Sequence, residues 1–165
     1  MWTSLARLGV PLGFVFAALA FYLAAPTSSS LLAGLGIPVA GEVMRVWAAG
    51  HIQKGSEVTR SGPYRFVRHP LYLGSSIMAL GFVTPARSLP VAIVVAVYML
   101  LTLVAAIRTE EATLDERFAG QYSAYKAGTA PPVSRRFSMD RVMANREYRA
   151  VLGLAVGMAI LYLKS

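Results

Sequence analysis

The residues best suited to chemistry lie in one polar string, Ser61-Gly62-Pro63-Tyr64-Arg65-Phe66-Val67-Arg68-His69-Pro70-Leu71-Tyr72-Leu73-Gly74. Gly62-Pro63 is a turn signal, and Pro70 suits the first position of a helix. His69 would then lie at a helix start, where free N–H groups and the positive end of the dipole attract a carboxylate or phosphate. Tyr72 offers a hydroxyl, and Gly74 would allow a ligand close approach. The alternative is a membrane-entry helix with interfacial Arg, His and Tyr residues.

A second string supplies the opposite charge through Glu110 and Glu111. Spacings of four, four and three predict that one helical face carries Leu114, Phe118, Tyr122 and Tyr125. Glu111 falls within that stripe and Glu110 at its edge. We therefore expect Glu111 to hold a cationic ligand group, or alternatively to form a salt bridge with Arg65 or Arg68. Glu110 is expected to face solvent or a basic neighbour.

Two further features are a pair of opposite charges on one predicted helix and the two histidines. Glu42 and Arg45 are three residues apart on one predicted helix, which favours a structural ion pair near the membrane boundary, with a substrate contact as the alternative. His51 and His69 lack a carboxylate cluster, and the chain has no cysteine, so no metal site is predicted.

Long apolar segments must position these strings. The chain has 165 residues, of which 56% are hydrophobic and 15% charged, well below the roughly 25% charge of soluble domains. The pattern predicts an all-α, polytopic membrane helix bundle in one domain, residues 1–165, with about five transmembrane helices. The predicted spans are about Leu5–Ala25, Leu31–Gly50, Pro70–Val83, Pro90–Ile107 and Ala150–Leu163. The third and fourth form a hairpin around a Thr84–Leu89 turn, and the fifth reaches full length only if its helix begins near Asn145.

Charge asymmetry predicts the orientation. With a cytoplasmic amino terminus, the inner side holds fourteen of the sixteen Lys and Arg residues, and only Arg87 and Lys164 lie outside. The positive-inside rule favours that topology. The first span, which contains Arg7 near its start, is expected to be retained and not cleaved as a signal peptide. The net charge of +8 is thus a topology signal, and no nucleic-acid partner is predicted. The basic stretch 135–149, which mixes arginines with apolar residues, suits an interfacial helix on anionic membrane lipids, with a lid as the alternative.

Two strings of the chain resemble a known family. The strings GPYRFVRHPLYLG at 62–74 and EEATLDERFAGQYSAYK at 110–126 resemble the isoprenylcysteine carboxyl methyltransferase family, which belongs with the phospholipid methyltransferases. Residues 45–64 are similar to its bacterial branch. The resemblance covers about residues 41–126, and the chain departs from the family pattern at 131–136, where prolines and arginines are displaced.

The resemblance implies a cofactor, S-adenosylmethionine, held by a region of about 51–126. Its implied binding residues are Tyr64, His69, Pro70, Tyr72, Gly74, Glu110 and Glu111, and the implied catalytic residues are Arg68 and Glu111. The expected substrate is amphiphilic or lipid-like and enters from the bilayer to a site at the cytoplasmic face. If the host is bacterial, the expected membrane is the inner membrane. Phosphatidylethanolamine-type N-methylation, an NADPH-dependent membrane reductase and a non-catalytic scaffold are the alternatives. The sequence does not specify the oligomeric state.

Overall fold

The protein is seen in a computed structural model that describes residues 2–118 and 120–165, with side chains described from residue 11 onward. Within those ranges the chain forms helices, turns and loops and contains no strand. The all-α prediction is therefore confirmed for the described residues. Arg7, which lies within the predicted first span, is outside the residues whose side chains are described.

Eight α-helices and one short 3-10 helix follow one another in the described chain. They are α1 Trp2–Leu23, α2 Ser28–Gly34, α3 Gly36–Ala49, the 3-10 helix Gly62–Arg65, α4 Pro70–Ala86, α5 Leu89–Arg117, α6 Gln121–Lys126, α7 Met139–Ala144 and α8 Tyr148–Leu163. Leu35 keeps helical angles of φ −59° and ψ −36°, so α2 and α3 run on as one rod. This rod begins earlier than predicted because Thr27 caps it through a reciprocal pair of hydrogen bonds with Ser30.

The α4–α5 hairpin has a tighter turn than the sequence predicted. Helix α4 continues through Thr84 and Pro85 to Ala86, and the chain then reverses at Arg87, which has a left-handed φ of 49°. The Ser88 side chain accepts a hydrogen bond from the Val91 N–H and caps α5. The predicted Thr84–Leu89 turn is thus reduced to two residues.

Helix α5 does not carry the predicted stripe as one continuous face. It ends at Arg117 with Phe118 as its C-cap, and α6 is a separate helix that begins at Gln121. Gly120 lies between them with φ of 80°, a conformation that glycine adopts without strain and that ends a helix. The prediction that Leu114, Phe118, Tyr122 and Tyr125 share one helix is therefore wrong.

The basic stretch 135–149 is likewise not one interfacial helix. Only Met139–Ala144 is helical before α8, and Arg146, with a left-handed φ of 57°, breaks the helical conformation between α7 and α8. Helix α8 therefore begins at Tyr148, not near Asn145, which leaves it with 16 residues. Arg135 and Arg141 turn inward instead: Arg135 donates 2.6 Å to Oε2 of Glu57, and Arg141 Nε donates 2.7 Å to the carbonyl of Gly50.

Small residues allow α3 and α4 to pack closely. A Cβ on Gly74 would lie 2.6 Å from Cγ of Arg45 and 2.7 Å from the carbonyl oxygen of Gly41, and a Cβ on Gly81 would collide with Pro38. Helix α8 packs against α4 through Gly157, whose added Cβ would lie 2.8 Å from the ring of Phe82. These contacts fix the start of α4 relative to α3 and α8.

Within the described chain, two helices are long and apolar enough to cross a membrane, namely Ser28–Ala49 and Leu89–Arg117. Only 11% of the most apolar window of the second helix is buried, whereas the core helix of a soluble protein is mostly buried. Two shorter apolar helices, Pro70–Ala86 and Tyr148–Leu163, fall below the roughly 20 residues of a full span. The part of α1 whose side chains are described, Pro11–Leu23, is also apolar. Five spans and a cytoplasmic amino terminus stay predictions.

Candidate functional site

The start of α4 is open to an anion. His69 is its N-cap residue, with φ −128° and ψ 63°, and its side chain makes no capping hydrogen bond. Pro70 occupies the first helical position, where the missing N–H costs nothing. The backbone N–H groups of the first turn therefore receive no acceptor from the His69 side chain, and the helix dipole adds positive potential there.

Glu111 accepts hydrogen bonds from three donors near the start of α4. Its Oε1 accepts hydrogen bonds from Nη1 of Arg68 at 3.3 Å, from Nε2 of His69 at 3.2 Å and from the hydroxyl of Tyr122 at 2.9 Å. The contact with Arg68 is the salt bridge that the sequence offered as an alternative to ligand binding. With a side chain 23% exposed, the carboxylate is shielded yet reachable.

Glu110 lies on the other side of the same imidazole. Its Oε2 is 3.8 Å from Nδ1 of His69, and its carboxylate lies near the Tyr72 hydroxyl. Glu110 therefore has the basic neighbour that the sequence allowed for. His69 lies between the two glutamates, and its ring also contacts that of Tyr72 at 5.8 Å between centroids.

Tyr64 brings an unused polar atom to the site. Its side chain is buried, and its hydroxyl has no hydrogen-bond partner among the described residues. Burial, and next the nearby Glu110, raise the pKa of Tyr64 far above its usual range, so the hydroxyl stays protonated and can donate. Tyr125 holds this segment in place because its hydroxyl donates 2.6 Å to the Tyr64 carbonyl.

Gly74 and Pro70 are buried on α4, and Gly74 faces α3. Gly74 contacts Arg45 and Gly41 of α3, so helix packing accounts for the glycine there. Its predicted contact with a ligand stays a prediction. The structure thus brings together Arg68, His69, Tyr72, Glu110, Glu111 and Tyr64 around the start of α4, with Gly74 on the α3 side of that helix.

Two residues of the site were not among the predicted binding residues. Tyr122 is 1% exposed and orients Glu111, while Tyr125 positions Tyr64 through the backbone. Both belonged to the predicted aromatic stripe, which was the available signal. Burial, and next the hydrogen bond to Glu111, raise the pKa of Tyr122, so its proton stays on the hydroxyl that donates to the carboxylate.

His51 holds the turn that precedes Tyr64. His51 is buried, its Nδ1 lies 3.2 Å from the Ser61 hydroxyl, and its ring fills the space where a Cβ on Gly62 would lie. Burial lowers the pKa of His51, and the guanidinium groups of Arg141 and Arg135 lower it further. His51 thus supports the turn before Tyr64 as a neutral group.

Comparison with known proteins decides the family. The family model described as phospholipid methyltransferase matches residues 31–121, more than half of the chain, including α3, α4 and α5, the string at 62–74 and residues 110–121 of the second string. The chain belongs to the phospholipid methyltransferase family. The resemblance recognised in the sequence is thereby confirmed.

Two curated relatives extend the comparison. The chain is 36% identical over 109 residues to the cobalt-zinc-cadmium resistance protein CzcN of Cupriavidus metallidurans, which covers 65% of this chain and 49% of the relative. It is 34% identical over 86 residues to the nickel-cobalt-cadmium resistance protein NccN of Alcaligenes xylosoxydans xylosoxydans, covering 51% and 40%. The chain thus spans about half the length of the curated relatives it matches. No solved structure matches significantly.

Proposed function

We propose that the protein is an integral membrane methyltransferase that binds S-adenosylmethionine around the start of α4 and methylates an amphiphilic acceptor at the cytoplasmic face. The observation that carries this proposal is the convergence of Arg68, His69, Glu110 and Glu111 on one helix start. That arrangement places donors and carboxylates side by side, and family membership of the same region supports methyl transfer.

The residues present fit a zwitterionic cofactor. The free N–H groups of α4 and Arg68 suit its methionine carboxylate, and Glu110 or Glu111 suits its ammonium group. The buried, unpartnered Tyr64 hydroxyl has a donor to offer. When bound, the cofactor supplies an electrophilic methyl group on a sulfonium, and the protein contributes mainly position and orientation.

The geometry separates the roles of the two glutamates. Three hydrogen bonds to Oε1 of Glu111 stabilise its ionised form, which makes it a good counter-ion and a poor base. Were the acceptor an amine, Glu110 would be the better candidate to take its proton. Were it a carboxylate, already ionised at neutral pH, Arg68 could orient it and no base would be needed.

An apolar cavity supports a lipid-like acceptor. A space of about 470 Å³ lies among α1, α4, α5 and α8, and reaches Tyr98 and Met99 on α5. Glu110 lies eleven positions after Met99 on α5, a distance of about 17 Å at 1.5 Å per residue. A tail of that length, extended from an acceptor at the site, would reach the cavity.

Calorimetric titration of the purified protein in detergent with S-adenosylhomocysteine tests the proposal. We expect binding that His69→Ala and Glu111→Gln each weaken at least tenfold, with Tyr162→Phe, an exposed residue of α8, as the matched control. Binding of NADPH instead would indicate a reductase, and unchanged affinity in both variants would remove this site. Lipid mass spectrometry of cells with and without the protein would identify an acceptor by one added methyl group.

A further inference from the structure

The chain segment before α8 is tied to the end of α3. The side-chain amide of Asn145 donates 3.0 Å to the carbonyl of Ala49, and Arg141 Nε donates 2.7 Å to the carbonyl of Gly50. The last carbonyls of a helix have no partner within it, so this segment caps α3 from outside. The α2–α3 rod is long and apolar enough to cross a membrane. Helix α7 therefore lies at the level where that rod ends.

The five arginines of the stretch 135–149 form two groups. Arg135 and Arg141 turn into the fold and hydrogen-bond to Glu57 and to backbone carbonyls. The other three are exposed, and no side chain in the described part of the chain pairs with them: Arg136, Arg146 and Arg149. The exposed acid of the stretch is Asp140. Three positive charges and one negative charge leave the surface positive by two.

Apolar side chains are exposed beside these cations. Met139 and Met143 lie one turn apart on α7 and are 59% and 53% exposed. The rings of Phe137 and Tyr148 are exposed before and after the helix. Phe137 and Trp47 line one groove between α3 and α8, which connects this region with the end of the rod. Cations mixed with exposed apolar and aromatic side chains at a helix end are typical of a membrane interface.

We propose that the exposed side chains of residues 136–149, here called the α7 surface, bind the headgroups of anionic phospholipids. The guanidinium groups pair with the phosphodiester, and the methionines and rings contact the upper part of the acyl chains. The positive charge favours an anionic lipid such as phosphatidylglycerol over a zwitterionic one. Phosphatidylglycerol carries no amine, so the α7 surface is a docking surface and not a second acceptor site.

The hydrogen bonds to α3 argue against the alternative of a lid. They hold the segment at the end of the rod, where a fixed lipid contact requires it and a closing motion would break them. The inference uses the membrane location of α3 and α8 and does not depend on the proposed methyl transfer. Its tests therefore need no cofactor.

Trp47, which is 41% exposed, reports on the lipids beside the α7 surface. The chain has two tryptophans, so Trp2→Phe leaves Trp47 as the only emitter. In phosphatidylcholine nanodiscs, phosphatidylglycerol brominated near its headgroup should quench Trp47 at a mole fraction roughly fivefold lower than equally brominated phosphatidylcholine. Because salt screens exposed charges, raising NaCl from about 50 to about 500 mM should remove most of this preference. Equal quenching by the two lipids would overturn the proposal.

Replacement of the three unpaired arginines tests the assignment. Arg136→Gln, Arg146→Asn and Arg149→Gln together should reduce the preference to about twofold or less. Asparagine is chosen at 146 because it tolerates the left-handed φ of 57°. The unfolding temperature should stay unchanged, since these side chains have no partner in the described chain.

A control variant changes the net charge equally at other exposed cations, Lys54→Gln, Arg65→Gln and Arg117→Gln. It should keep most of the preference for phosphatidylglycerol. An unchanged preference in the first variant would remove the α7 surface as the binding site. Equal losses in both variants would assign the preference to the net charge of the protein.

A spin label distinguishes a membrane contact from a lid or a soluble partner. The chain has no cysteine, so Met143→Cys gives a single attachment site on the exposed face of α7. In nanodiscs containing phosphatidylglycerol, the nitroxide should be more accessible to dissolved oxygen than to a water-soluble nickel chelate. Ala127→Cys, at the exposed end of α6, is the control and should favour the chelate. Preference for the chelate at position 143 as well would place α7 in water and contradict the proposal.

Discussion

The hydroxyl of Tyr122 donates a hydrogen bond of 2.9 Å to Oε1 of Glu111, across the break between α5 and α6. The tyrosine is almost fully buried, so the bond is shielded from water. It orients the carboxylate that also accepts hydrogen bonds from Arg68 and His69. The aromatic helix after the break thus positions the acidic helix before it.

Tyr122→Phe should therefore weaken cofactor binding without changing any group proposed to touch the cofactor. The lost bond to a charged acceptor predicts a rise of roughly threefold to tenfold in the Kd for S-adenosylhomocysteine. Calorimetry measures this change, and the thermal unfolding temperature should fall little. An unchanged Kd would show that Arg68 and His69 suffice to orient Glu111.

Gly74→Ala distinguishes helix packing from ligand approach. The added methyl group would meet Arg45 and the Gly41 backbone, and such overpacking costs about 1–3 kcal/mol. We expect a lower unfolding temperature in detergent, measured by circular dichroism. The matched control is Gly153→Ala, where a Cβ meets nothing within 4 Å and where alanine in a helix should be neutral or stabilising. Weakened cofactor binding at unchanged stability would instead favour the ligand contact.

Arg45→Met should destabilise the bundle more than any exposed charge substitution. It removes the guanidinium from Glu147 and Glu42, both buried, and leaves two carboxylates without their cation. Breaking a buried pair in this way costs about 3 kcal/mol or more, which lowers the unfolding temperature by roughly 6–12 °C. Lys126→Met breaks the exposed ion pair with Asp115 and should change the unfolding temperature by less than about 2 °C. Equal effects would contradict the structural role of Arg45.

His51 predicts a dependence of stability on pH. Burial and the guanidinium groups of Arg141 and Arg135 lower its pKa in the folded protein, so below pH 6.5 the unfolded chain binds the proton more readily. The contribution of neutral His51 to the free energy of unfolding is fully present above about pH 6.5, the pKa in the unfolded chain. It is lost as the pH falls from there toward the lower pKa of the folded protein, by about 1.4 kcal/mol for each pH unit.

Thermal unfolding at pH 7.5 and pH 5.5 checks this sign. The wild-type protein should lose stability at the lower pH, and His51→Gln should remove that part of the loss. A variant that keeps the full difference would assign the acid sensitivity to other groups.

Part of the site could be predicted from the sequence because its residues are close in sequence to helix boundaries. Pro70 marks a helix start by its missing N–H, and His69 necessarily precedes it. The pair Glu110-Glu111 follows a long apolar run, which predicted a carboxylate just past a helix in the bilayer. What the sequence could not give was the choice of partners, since Arg65 and Arg68 were equally available to Glu111 and only Arg68 contacts it.

The sequence by itself determined the helical class, the apolar segments and the two charged strings, because periodicity, hydropathy and proline positions are local properties. The tertiary structure alone decided where α5 breaks, that Arg45 pairs with Glu147 across 102 residues, and that Gly74 faces α3. These depend on how helices pack and on which distant groups share a buried space. Local pattern cannot specify them, because the free energy of a buried charge depends on every neighbour that folding brings to it.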